Sequence, residues 1–111
     1  MFQEKDFIKR QLQQLAAFLK RLLSKARDEG EVDTALDELA KTGGELLGVP
    51  LHFLDVADPK SAALLLRSRE KIDAYAEILL TQAELSELKG DAASAQALRL
   101  RAQAVRGFTA P

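Results

Sequence analysis

Six apolar residues of the opening segment, Ile8, Leu12, Leu15, Leu19, Leu22 and Ala26, recur at intervals of 4, 3, 4, 3 and 4. That rhythm puts all six on one stripe of a helix, a seam about three heptads long. Phe7, Phe18 and Leu23 widen the seam. A seam of this length must be buried, either against another helix of the same chain or against a second chain, and this requirement constrains the fold more than any other feature. Nothing competes with it. No stretch alternates apolar and polar side chains, and valine occurs only at positions 32, 49, 56 and 105, so strands are not expected.

The rest of the chain continues in helical periods. The first helix is expected over 6–27, halted by Gly30. A second begins near Val32 and buries Val32, Ala35, Leu36 and Leu39. Gly43 and Gly44 either end it, bend it or are carried through by packing, and Gly48 and Pro50 end any continuation. Residues 51–57 read as a short helical turn or a tight connector. Asp58 followed by Pro59 is a helix start, an oxygen-bearing cap ahead of a proline at the first helical position. A long helix is expected over 69–89. Its apolar residues cover most of its circumference, which places it near the centre of the fold. A last helix follows over 92–106, with Ala95, Leu98, Ala102 and Val105 inward, and 107–111 is expected to fray. The expectation is a single all-α domain of about five helices. One antiparallel hairpin spans 1–48, a linker with short helices spans 49–68, and a second hairpin spans 69–106.

Two turns repeat at an offset of 60 residues. Glu29-Gly30-Glu31 is followed by Ala35, and Lys89-Gly90-Asp91 by Ala95. In each, glycine supplies the turn conformation, an acid sits at the positive end of the next helix, and a small residue lets the two helices close on one another. The second segment resembles a tetratricopeptide (TPR) hairpin. Gly90, Asp91, Ala95 and Ala102 match that motif, as does Ala83 in the preceding helix, while Ser86 and Arg99 stand where it has aromatic residues. The whole chain is similar to a family of small, uncharacterised bacterial helical proteins with TPR-like tails. The residues that carry this are 11–15 (Gln-Leu-Gln-Gln-Leu), 45–48 (Glu-Leu-Leu-Gly) and 89–91. The resemblance implies an all-α fold built on TPR-like hairpins, and it implies no activity.

Reactive chemistry is sparse. Of 111 residues none is cysteine or tryptophan and one each is histidine and tyrosine, which removes disulfides, thiolate metal sites and cysteine nucleophiles. His52 with Asp55 three residues on has the spacing of a base and its orienting acid, or of two metal ligands, but neither a nucleophile nor further ligands accompany it. The carboxylates at 70, 73, 77, 84 and 87 form a stripe without the histidines a di-iron bundle adds, so a solvated face with partners such as Lys71 is expected. Gly43-Gly44 lacks the following lysine of a phosphate loop. No catalytic residue, metal site or cofactor is expected.

Charge is segregated along the chain. Residues 1–27 hold seven basic and two acidic side chains, 28–58 hold one lysine and nine acids, and the whole nets -1. The basic first helix is therefore expected to face the acidic second segment, or its counterpart in another subunit. That overall balance, with basic residues of the last helix on no common face, argues against nucleic acid. Without a basic leader or an apolar run longer than five residues, where a membrane span needs about 20, no span is expected and a cytoplasmic protein is. The leading functional expectation is a non-enzymatic protein-interaction or scaffold module that self-associates as a homodimer through the first-helix seam. Its candidate surface is Phe7, Ile8, Leu12, Leu15, Phe18, Leu19 and Leu22, with Arg99 and Arg106 on the last helix. The alternatives are peripheral membrane association through the basic amphipathic first helix and a small-molecule site that the sequence does not display.

Overall fold

A computed structural model describes the backbone of residues 4–108 and the side chains of residues 9–108. Among the described residues there are six helices and no strand: α1 (Glu4–Glu29), α2 (Val32–Leu47), α3 (Leu51–Val56), α4 (Pro59–Leu66), α5 (Arg69–Leu88) and α6 (Ala92–Arg106). The helix count corrects the expected five, because residues 51–56 form a helix of their own and not a bare connector. The expectation for Phe7 and Ile8 and for residues 109–111 lies outside the described residues.

α5 is the axis of the molecule. Ile72, Tyr75, Ala76, Ile78, Leu79, Ala83 and Leu85 are fully buried along it. It packs on α1, α2 and α6 at once, as a helix apolar on most sides must. The directions follow from pairs across each contact. Lys89 donates to Asp33 at 2.8 Å, and a β-carbon at Gly43 would lie 3.1 Å from Ile78 Cδ1, so α2 runs antiparallel to α5. A tight turn at Gly30 (φ 69°) reverses α1 into α2, and α1 is therefore parallel to α5. Arg27 at the end of α1 reaches Glu84 in the corresponding part of α5 at 3.2 Å. α6 returns antiparallel along α5 after a second turn at Gly90 (φ 87°). Leu15, Leu19, Leu22 and Ala26 of the opening seam are all buried in this core.

Helix α2 passes straight through its two glycines, and the structure gives each a reason. Gly43 is buried against Ile78. At Gly44 a side chain would meet the backbone of residues 49–51, which folds back across α2, at 3.3–3.5 Å. The cost of glycine in a helix, about 1 kcal/mol each, is offset by this close approach. α2 then ends on Gly48 in the left-handed conformation, with its N–H donating to the Gly44 carbonyl.

The later helices start on side-chain caps. The carboxylates of Asp58 and Asp91 and the hydroxyl of Ser68 accept from the backbone N–H groups of Ser61, Ser94 and Lys71. The Ser61 and Ser94 hydroxyls also donate to the two aspartates at 2.6 Å, and these bonds hold both carboxyls below the usual carboxylate range. The end of α6 is anchored, which corrects the expected fraying as far as residue 108. Arg69 donates to the carbonyls of Arg106 and Phe108 at 2.9 and 3.3 Å, and Phe108 packs on the core.

Two predictions follow from these local features. Gly43→Val, which forces a branched side chain into Ile78, should destabilise the protein by about 1–3 kcal/mol, read as a lower midpoint in urea. Asp91→Ala should lower Tm at neutral pH. The cap acts only while the carboxylate is ionised, so the gap between wild type and variant should close as pH falls below about 4.

Candidate functional site

The one tyrosine sits at the centre of a polar cluster that reaches the surface at the exposed Asp55. Tyr75 is fully buried on α5. Its hydroxyl donates to Asp55 Oδ1 at 2.6 Å and accepts from Arg101 Nε at 3.0 Å. The other arm of the Arg101 guanidinium donates to the carbonyls of Leu54 and Ala57, the latter at 2.6 Å. These carbonyls belong to the end of α3, where a helix leaves acceptors unpaired and a cation is favoured. The cluster therefore joins the linker helix α3, the central α5 and the last helix α6 through the Tyr75 hydroxyl and the Arg101 guanidinium. Burial, followed by the hydrogen bond to Asp55, raises the Tyr75 pKa well above the usual phenol range. A phenol held neutral in this way is neither a base nor a nucleophile at physiological pH.

This arrangement takes Asp55 away from the role its spacing suggested. It does not orient His52. It accepts from Tyr75, while the exposed imidazole rests against the Phe53 ring with centroids 4.4 Å apart. Among the described residues no group of three or more histidine, cysteine or acidic side chains is placed to hold a metal ion. Among the described residues no helix is long and apolar enough to cross a membrane.

A groove of about 720 Å³ lies between the parallel helices α1 and α5, and a shallower cleft of about 690 Å³ lies beside α2 and the start of α3. Leu12, Leu15, Leu19, Leu23, Ala74 and Leu80 form the floor of the groove, and of these Leu12, Leu23 and Leu80 remain half-exposed. Glu70, Asp73, Glu77 and Glu84 stand along the α5 side, with Arg106 reaching over from α6. Ala16 and Lys20 form the α1 side. The α5 acids are the stripe expected from the sequence, but their partners differ. Arginines, three of them from α1 and α6 and one from α5 itself, take the place given to Lys71. Glu84 pairs with Arg27, Glu87 with Arg99, Glu77 with Arg106 at 2.6 Å, and Asp73 with Arg69 at 3.1 Å and Arg106 at 3.9 Å.

The candidate surface residues separate into groups. Leu15, Leu19 and Leu22 are consumed by the core, Leu12 stays half-exposed on the groove floor, and Phe18 is half-buried on the opposite side of α1 beside Thr42 and Leu46. The apolar face that a membrane-lying α1 would present is thus turned inward. Arg99 and Arg106 are engaged within the chain. The expected charge pairing of the first two segments is confined to the turn between them. Lys25 meets Glu31 at 3.7 Å, and among the described residues no basic side chain of α1 pairs with an acid of α2. The reason is geometric: α1 turns its leucines, not its lysines, toward α2 and α5. Arg101 and Leu80 escaped the sequence reading. Only the partners of Arg101, which are distant in sequence, reveal its role, and Leu80 looked like one more core leucine.

No protein-family model, curated protein or solved structure matches the chain.

The single tyrosine makes the polar cluster measurable. Absorbance titration of the Tyr75 phenol should show no ionisation at the ordinary pKa near 10, with the signal appearing together with unfolding at higher pH. The folded state holds the proton more tightly than the unfolded chain, so this contribution to stability is full below pH ~10 and is lost above it. Tyr75→Phe should remove the optical signal and cost about 1 kcal/mol for the lost hydrogen bonds, since water reaches the exposed Asp55.

Proposed function

We propose that the chain is a non-enzymatic protein-interaction module, two TPR-like hairpins interrupted by the 49–68 linker, and that the groove between α1 and α5 is its docking face. The observation that carries this reading is the groove's half-exposed apolar floor between charged walls, because leucines left open between parallel helices gain most from a covering partner. Two features support the TPR-like arrangement. Both hairpins turn on a glycine of positive φ, and α5 packs on both helices of the preceding hairpin. A non-enzymatic role is supported by the engagement of Tyr75, Asp55 and Arg101 with one another.

The test is positional. A photo-crosslinking amino acid placed at Ala16, on the groove wall, should give discrete protein adducts, whereas the same residue at the exposed Ala93 of α6 should give none. Equal or absent labelling from the two positions would overturn the assignment of the docking face.

A further inference from the structure

We infer that the cleft where α2, α3, α5 and α6 meet is a binding site for an alkylammonium group, the head of a short amine or of a lysine side chain. It is separate from the α1–α5 groove and does not depend on that groove being a docking face. The cleft holds about 400 Å³. Gln82 and Ser86 of α5 line it, and Gln82 breaks the pattern of its own helix. Tyr75, Leu79, Gln82 and Ser86 follow one another at intervals of 4, 3 and 4 along one line of α5. Tyr75 and Leu79 are fully buried, and the next two are half-buried. Gln82 Oε1 is shut off from solvent and accepts no hydrogen bond, the one buried side-chain polar atom among the described residues without a partner. A leucine there would extend the core toward Leu36 and Leu98, which also line the cleft. A buried acceptor kept without a donor destabilises the fold that holds it, which points to a donor supplied from outside.

The other polar groups of the cleft are acceptors as well. Asp55 accepts from Tyr75 through Oδ1 at 2.6 Å, which leaves Oδ2 for another donor. Ser94 spends its hydroxyl proton on Asp91 at 2.6 Å and can otherwise only accept. The Ser86 hydroxyl accepts as readily as it donates. No cationic side chain lines the cleft. Arg101, beyond the Tyr75 hydroxyl, is held by that hydroxyl and by the carbonyls of Leu54 and Ala57. One carboxylate, further oxygen acceptors and no cation call for a ligand that is positively charged and only donates. Ammonium and guanidinium both answer to this. The planar guanidinium fork is matched by a carboxylate with both oxygens free, and Asp55 has one. The compact ammonium takes single acceptors in turn. Leu36, Ala97 and Leu98 give its methylene stem an apolar lining. Glutamine turns about three side-chain bonds, which lets the Gln82 oxygen swing out to the entering donor.

Two-dimensional NMR of the full chain tests this with pentylamine, protonated at neutral pH, and with pentanol as its uncharged match. Pentylamine should produce saturable shifts in the Gln82 side-chain amide and in the backbone amides of residues 94–98, and pentanol should produce none. Gln82→Leu should abolish the response and raise Tm of the free protein, because the unpaired oxygen is gone. Asp55→Asn should weaken binding about tenfold. Asp55 also holds Tyr75, so Gln82→Leu keeps the test decisive if the asparagine loosens α3. N-acetyl-lysine methylamide carries the same head group on a peptide unit. Tighter binding of that compound than of pentylamine assigns a lysine of a protein as the ligand, and the reverse order assigns a free amine. The absence of saturable shifts, an equal response to pentanol, or a Gln82→Leu chain that binds pentylamine as wild type does would overturn the inference.

Discussion

Desolvation of α5 on three sides is the constraint from which the remaining architecture follows. A helix with Ile72, Tyr75, Ile78, Leu79 and Leu85 all fully buried cannot exist alone in water, and α1, α2 and α6 are the surfaces that cover it. The two glycine turns are placed so that each hairpin can reach it from its own side. Gly43 brings α2 close enough to seat Ile78. The ion pairs from Arg27, Arg99 and Arg106 then lie on the rim of these contacts, where solvent screening leaves them little stabilising power and gives them mainly a role in fixing orientation.

The helices were legible in the sequence because periodicity reports burial directly. The 4-3-4-3-4 seam of α1, the all-round apolar character of α5 and the Asp58-Pro59 and Gly90-Asp91 boundaries each encode one local decision, and the structure shows the boundaries, the buried α5 and, of the seam, the burial of Leu15, Leu19, Leu22 and Ala26. What was not legible depends on residues far apart in the chain. Gly43 and Gly44 look like a break until Ile78 and the 49–51 backbone are in place. His52 and Asp55 look like a pair until Tyr75, twenty positions on, takes the carboxylate. Arg101 is one of several arginines in α6, and its three acceptors come from 26 to 47 residues earlier. Of the candidate surface, the pattern of α1 announced that leucines would be buried. It left open which of them would be covered inside the chain, since a seam reads the same whether its cover is α5 or a second molecule.

The polar cluster and the groove divide the molecule's side chains between two tasks. Groups with chemical potential, a phenol, a carboxylate and a guanidinium, are spent on fixing α3 against α5 and α6. The groove presents leucines and charged side chains, which offer a partner shape and sign. This division underlies the reading of the chain as a binding module, and it separates the surfaces on which stability and recognition can be altered independently.

The Arg101 clamp sets an order of events during synthesis. The acceptors at the end of α3 emerge from the ribosome well before the residue that satisfies them, and α3 has only six residues with which to hold itself together. Until α6 is made, the linker is a stretch of chain with open carbonyls and an unplaced Asp55. The middle of the fold is thus completed by α6, and a chain truncated before residue 101 would lose order near residue 55 as well as at the cut.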